Sequence, residues 1–213
     1  MTNNDGLKET KLSEWLALLA SSAPAPGGGA VGALSATLGA CLIEMVCALT
    51  VTKSTYANWR EKHLWVMAQT EQLRAAGLKV ADEDALAFNE VMAAYKLPRS
   101  DDAEKAVRSA AIQSALVAAA KPPVSTGLLA QQVLELGKSI LNNSNKGVVS
   151  DIAVAAIMAK AALEASIVNA EINLAGIKDP DWRADAVAKL ITFQASIADA
   201  DDLIATARER INA

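Results

Sequence analysis

An all-α bundle built on long, buried, Ala-rich helices is the fold this sequence predicts, and three observations predict it. Hydrophobic residues make up 52% of the 213 residues but aromatic ones only 4%. The apolar mass is therefore Ala, Leu, Val and Ile, which suits close helix–helix contact better than a β-sandwich. Apolar positions recur at intervals of three and four along most of the chain, and no alternation of period two lasts long enough for a strand. No repeat or low-complexity segment divides the chain, so residues 1–213 read as one domain.

About seven helices follow in order. Residues 11–21 make a short amphipathic helix with Leu12, Trp15, Leu16 and Leu19 on one side. Pro24-Ala25-Pro26-Gly27-Gly28-Gly29 then forms a turn that is stiff at its prolines and free at its glycines to take positive φ or to approach a neighbour closely. The run from Ala30 to Thr52 is a helix apolar on nearly every side, which predicts burial all round. Asn58 and Glu61 resemble a capping pair for a helix from about 59 to 97, with Gly77 as a possible bend and Leu97-Pro98 as its stop.

Asp101 or Asp102 starts a fourth helix that Lys121-Pro122-Pro123 is expected to break at about Ala120. Pro123 then opens a fifth helix to about Leu141. The polar stretch from Asn142 to Gly147 is a loop, Val148 to Leu174 is again Ala-rich and apolar, and Asp179-Pro180 opens the last helix. Two helices apolar on almost all sides exceed what a small monomeric bundle needs, which predicts a homodimer.

A net charge of −4 leaves no basic field for nucleic acid. Cys41 and Cys47 fall six apart on one helix and read as buried thiols in a reducing compartment. With one histidine, His63, there is no metal-ligand spacing, so neither a metal nor another cofactor is expected. The first apolar run follows Asn3, Asp5 and Glu9 without a basic leader, so no signal peptide is expected and the location is cytoplasmic. Gly29–Thr52 has the length of a membrane span, about 36 Å as a helix. Its Gly and Ala content, Glu44 and the absence of flanking basic or aromatic anchors favour a buried helix and no membrane.

Chemistry is sought among polar groups stranded on apolar faces. Asp84 shares a helix side with Gly77, Val80, Phe88, Val91 and Tyr95, away from the polar face of Gln72, Lys79, Glu83 and Glu90. Burial raises a carboxylate's pKa toward neutrality, the condition for general acid–base work, although a buried Asp satisfied by a structural donor fits the same pattern. Asp82, between Leu78 and Leu86, is the second candidate. Asp151 stands in the first turn of an apolar helix, where the helix dipole favours it. Asn169 is about 27 Å further along that helix, with Asn173 one turn beyond. The pair serve opposite ends of a long ligand, different subunits, or helix–helix hydrogen bonding. Lys53, Arg99 and Lys146 at helix ends could grip an acidic ligand tail, while His63 and Glu44 read as structural.

Taken together, Leu12-Ser13-Glu14-Trp15-Leu16, Pro24 to Ala30, Met45 to Thr50, Asp82 to Phe88, Ala94 to Arg99, Asn145 to Asp151 and Asn169 to Leu174 resemble the cyclodeaminase/cyclohydrolase family. That family comprises the C-terminal domain of formimidoyltransferase-cyclodeaminase and stand-alone methenyltetrahydrofolate cyclohydrolases. The resemblance covers nearly the whole chain in order. It implies an all-α homodimer that binds a tetrahydrofolate derivative near the glycine turn, with Asp84 of the Asp-x-x-x-Phe motif as catalytic carboxylate. Candidates for holding the folate are then Pro26, Gly27, Gly28, Gly29, Lys53, Tyr56, Arg99, Asn145, Asp151 and Asn169.

The sequence departs from the family pattern at four places. Thr52-Lys53-Ser54-Thr55 replaces a Gly followed by lysines, Arg99 replaces a Lys, Ser144 a Gly, and Ala30 a frequent Ser. The implied activity is hydrolysis of 5,10-methenyltetrahydrofolate to 10-formyltetrahydrofolate in one-carbon metabolism. Formimidoyltetrahydrofolate cyclodeamination is the enzymatic alternative, and a non-catalytic helical dimer the alternative of another class.

Overall fold

In a computed structural model, which describes residues 6–212, six α-helices and three short 3-10 turns account for almost all of the chain. The helices are α1 (Leu12–Leu19), α2 (Gly28–Val51), α3 (Arg60–Tyr95), α4 (Asp102–Ile140), α5 (Val149–Leu174) and α6 (Pro180–Asn212). Asn3 and Asp5, on which the expectation about a leader rests, lie outside the described residues.

The count is six rather than seven because α4 runs through Pro122 and Pro123. A proline inside a helix removes one backbone bond and crowds the carbonyl four residues back, at a cost of about 3 kcal/mol. Here α5 supplies one replacement and one added tie. Asn173 Nδ2 donates to Ala119 O at 3.3 Å, the carbonyl that Pro123 cannot serve, and Ser166 Oγ donates to Pro123 O at 2.6 Å. Both prolines are buried, so the segment is held from outside by its neighbours. The start of α4 follows its local signal: Asp101 Oδ1 accepts from Glu104 N at 2.8 Å, and Glu104 Oε2 accepts from Ser100 N at 2.7 Å. Likewise Asp179 Oδ1 accepts from Asp181 N and Trp182 N ahead of α6.

Three further details qualify the local expectations. On α1 only Trp15 is buried; Leu12 is 61% exposed and Leu16 is also exposed. Asn58 does not cap α3, because Ser54–Trp59 is itself a 3-10 turn and Trp59 occupies the cap position without a side-chain bond. No glycine among the described residues has positive φ. The glycines of this fold serve close approach instead. At Gly77 a Cβ would strike Thr37 Oγ1, so α3 crosses α2 unbroken at that point.

Helix α2 is the centre of the bundle and packs on α3, α4 and α5. It runs antiparallel to both α3 and α5. Gly32 lies against Ala165 and Gly39 against Ala155, while Glu44 pairs with Arg74 at 3.3 Å. Its core face includes Ala33, Ala36, Ala40, Ile43, Val46 and Cys47. Small residues on both helices bring the backbones close, which places the first turn of α2 beside the C-terminal halves of α3 and α5.

Burial of α2 is not all round. Val31, Leu38, Met45 and Leu49 form an exposed apolar stripe along its whole length, with Leu38 at 48%. Among the described residues α2 is the one helix long and apolar enough to cross a membrane, and half of it is core. Cys41 is half-buried rather than buried, and Cys47 is buried; both are free thiols. Burial pushes the Cys47 thiol up to about 12, with Glu44 adding to the shift. His63 is fully buried, its ring nitrogens 2.9 Å from Trp59 O and 3.1 Å from Ser144 Oγ.

Candidate functional site

Where α2 begins, α3, α4 and α5 converge on it and leave a cavity of about 350 Å³. The loop ahead of α2 supplies Pro24, Ala25 and Gly27, and the first turn supplies Gly28 and Gly29. From α3 come Asp84, Phe88, Val91 and Tyr95, one to three turns apart on one side of the helix. Leu116 and Ala119 of α4 close the floor, and Asn169, Ile172 and Asn173 come from α5. Phe88, Tyr95 and Ile172 are exposed, so the mouth of the cavity is apolar and aromatic.

Asp84 sits over the start of α2. A Cβ at Gly29 would strike its carboxylate, and the backbone N–H of Ala30 lies beside it and favours its ionised form. Gly29 is therefore glycine because a carboxylate occupies the space a side chain would need. Burial holds the Asp84 carboxyl above the ordinary aspartate range, and the Ala30 N–H offsets this in part. Two amides complete the polar set. Asn169 Nδ2 donates to Ala165 O at 2.7 Å, and Asn173 Nδ2 donates to Ala119 O and to Asn169 O at 3.0 Å. Both side-chain NH₂ groups are thus engaged by backbone, and the carbonyl oxygens remain as acceptors. Among the described residues no Lys, Arg or His lines the cavity. A carboxylate and two amide carbonyls in an apolar cavity favour a ligand carrying positive charge and N–H or O–H donors.

The other expected site residues fall elsewhere. Asp82, two residues before Asp84 and so on another side of α3, turns to the N-terminal segment, where its Oδ1 accepts from Leu7 N at 2.8 Å. Arg99 is exposed four residues past Tyr95, at the cavity's end of the bundle but outside its lining. Pro26 adjoins the lining residues without being one.

Asp151 stands in the first turn of α5, about 27 Å from Asn169 along that helix, and Lys53, Tyr56 and Asn145 group at the other end of α2, about 36 Å away along its axis. There Asn145 N donates to Thr50 Oγ1 at 3.1 Å, Lys146 N donates to Tyr56 Oη at 3.2 Å, and Asn145 Oδ1 accepts from Gly147 N at 3.1 Å. The ten-residue binding set is thus divided between two ends of one subunit. The lining residues outside that set include Phe88, Val91, Tyr95 and Asn173, all at helical spacing from Asp84 or Asn169 and traceable from periodicity. Leu116 and Ala119 carry no such signal.

The fold is an all-α bundle with a half-buried carboxylate facing a cavity of small-molecule size. The sequence profile of the Formiminotransferase-cyclodeaminase family matches residues 11–191, and the chain belongs to that family. It is 37% identical to the methenyltetrahydrofolate cyclohydrolase of Methylorubrum extorquens over 185 residues, 87% of this chain and 88% of that protein. It is 29% identical to the formimidoyltransferase-cyclodeaminase of Gallus gallus over 180 residues, 84% of this chain but only 33% of that larger protein. The crystal structure of the formiminotetrahydrofolate cyclodeaminase of Thermotoga maritima is similar with a TM-score of 0.82 and 26% identity, covering 96% of this chain and 97% of that one. Among the described residues no three His, Cys, Asp or Glu side chains converge as metal ligands.

Proposed function

We propose that the protein hydrolyses 5,10-methenyltetrahydrofolate to 10-formyltetrahydrofolate, with Asp84 as the acid–base group. The observation that carries this is the cavity's chemistry: Asp84 and two amide carbonyls, with no cationic side chain among the described residues of the lining. The substrate's reacting carbon bridges two nitrogens and shares a positive charge with them, and such a cavity attracts that charge. Phe88 and Tyr95 at the mouth offer faces for the flat rings.

In the reaction, water adds to the bridging carbon while Asp84 takes one of its protons. Asp84 then returns that proton to a ring nitrogen, the bond from that nitrogen to carbon breaks, and the formyl group stays on the other nitrogen. One proton is released to solvent overall. The step as written calls on no metal or cofactor. The test is disappearance of the methenyl chromophore above its uncatalysed rate. Turnover of methenyltetrahydrofolate supports the proposal; a rate equal to buffer alone, with folded protein, overturns it. The fold shared with a cyclodeaminase favours the second activity, release of ammonia from formimidoyltetrahydrofolate, which a coupled ammonia assay measures on the same sample.

The protein would work as a homodimer through the exposed stripe of α2. Val31, Leu38, Met45 and Leu49 carry no charge, and burying each is worth about 1.5–3 kcal/mol. Two α2 helices paired antiparallel about a two-fold axis would set the C-terminal end of one beside the N-terminal end of the other. Lys53, Tyr56 and Asn145 of the partner subunit would then approach the cavity, and the divided binding set would become one. A cytoplasmic location and the absence of nucleic-acid or membrane partners belong to the same proposal.

A further inference from the structure

We infer that Asn173 is a substrate-contacting residue of this cavity and that Pro123 positions it. The inference deepens the folate proposal and rests on it for the identity of the ligand. Asn173 lines the cavity, and both N–H groups of its amide are directed at backbone carbonyls, Ala119 O at 3.3 Å and Asn169 O at 3.0 Å. Among the described residues no protein donor reaches its Oδ1. The amide therefore has a fixed orientation and presents an acceptor. An acceptor there stabilises the positively charged, ring-closed substrate and does nothing comparable for the neutral, ring-opened product.

Pro123 is what leaves Ala119 O open to Asn173. In an uninterrupted helix the N–H of residue 123 would occupy that carbonyl; proline has none, and its ring pushes the carbonyl four residues back off the helix axis. Ser166, seven residues before Asn173 and so on the same side of α5, secures the prolines' backbone through Pro123 O. The double proline in the middle of a 39-residue helix is thus connected to the cavity through a single side chain.

Two variants test this. Pro123→Ala restores the helical N–H without removing a cavity group and should fold at least as stably as wild type. Its KM for methenyltetrahydrofolate should rise about 5- to 20-fold with kcat within about threefold. Inhibition by the neutral product should change less than twofold. Asn173→Leu should show the same split, with a larger KM effect. Wild-type KM in folded Asn173→Leu removes Asn173 from substrate contact, and equal weakening of substrate and product removes its charge selectivity.

A second measurement does not depend on turnover. The Asn173 side-chain NH₂, assigned in nitrogen-15 spectra by its loss in Asn173→Leu, should exchange with solvent slowly in wild type and at least tenfold faster in Pro123→Ala. Equal exchange overturns Pro123's role. Wild-type protein without turnover or binding of methenyltetrahydrofolate would instead sink the folate proposal, and the exchange comparison would still decide the link between Pro123 and Asn173.

Discussion

The carboxylate of Asp84 on α3 fills the space over Gly29 in the first turn of α2, beside the backbone N–H of Ala30. The contact is possible only because the residue between the turn and Ala30 is Gly29, whose missing side chain leaves room for the carboxylate. The helix start also places its positive dipole end beside Asp84, which supports the ionised form against the cost of burial. Site and fold therefore meet in one contact, and the predictions start there.

Gly29→Ala should act on both. The added Cβ meets the Asp84 carboxylate, so either that side chain or the start of α2 must move. Overpacking of this kind costs about 1–3 kcal/mol. Turnover should fall at least tenfold as Asp84 is displaced, with a lowered unfolding midpoint by calorimetry. Wild-type turnover in this variant would show that the close approach is not needed for activity.

Asp84→Asn should lower kcat by about 10²–10⁴-fold, the usual contribution of a general acid–base group. In wild type, protonating Asp84 removes the base, so kcat/KM should fall on acidification, with its acid limb above the ordinary aspartate value of about 3.9. The sign for stability follows from the same shift. A raised carboxyl pKa favours the folded state below the unfolded pKa, and that contribution is lost as pH rises through the folded value. At pH 7 the Asn variant should then melt no lower than wild type, and any advantage should shrink on acidification. Melting curves at several pH values check the sign; a variant that melts well below wild type at pH 7 contradicts it.

Asp82→Ala separates the two neighbouring carboxylates. Its loss unties Leu7 N, a hydrogen bond worth about 0.5–1.5 kcal/mol, without entering the cavity. The expected result is turnover within about threefold of wild type together with faster proteolysis near the N-terminus. A thousandfold loss of turnover would place Asp82 in the chemistry after all.

Leu38→Glu puts a charge in the middle of the exposed α2 stripe. Sedimentation should show wild type at twice the 22.2 kDa chain mass and the variant at the chain mass. Turnover should drop with the dimer if Lys53 and Asn145 reach the cavity from the partner subunit. A wild-type protein that sediments as a monomer would remove both statements.

Much of the local structure was legible in the chain. The apolar spacing from Ala30 to Thr50, the Asp101 and Asp179 caps and the polar stretch after Leu141 are signals that act over one or two turns, and the helices start and stop close to them. Asp84 stood out for the same reason, since a carboxylate in the side shared by Val80, Phe88 and Val91 is visible in periodicity alone. Pro122-Pro123 shows where that logic ends. Local propensity says stop, and the helix continues because Asn173 of another helix takes the place of one missing bond and Ser166 ties down Pro123 O.

By itself the sequence determined the fold class, the family pattern and the identity of the central carboxylate, because each depends on residue type and spacing within single helices. Tertiary structure decided which candidates share a cavity. Antiparallel packing of α2 with α3 and α5 brings Gly29, Asp84, Asn169 and Asn173 to one end, and the length of α2 carries Lys53, Tyr56, Asn145 and Asp151 to the other. It also settled what the glycines are for. Their backbone angles are those of ordinary residues, and the space above Gly29 belongs to a carboxylate from another helix. Contacts between residues 55 positions apart depend on how helices are placed against one another, and no local pattern encodes that placement.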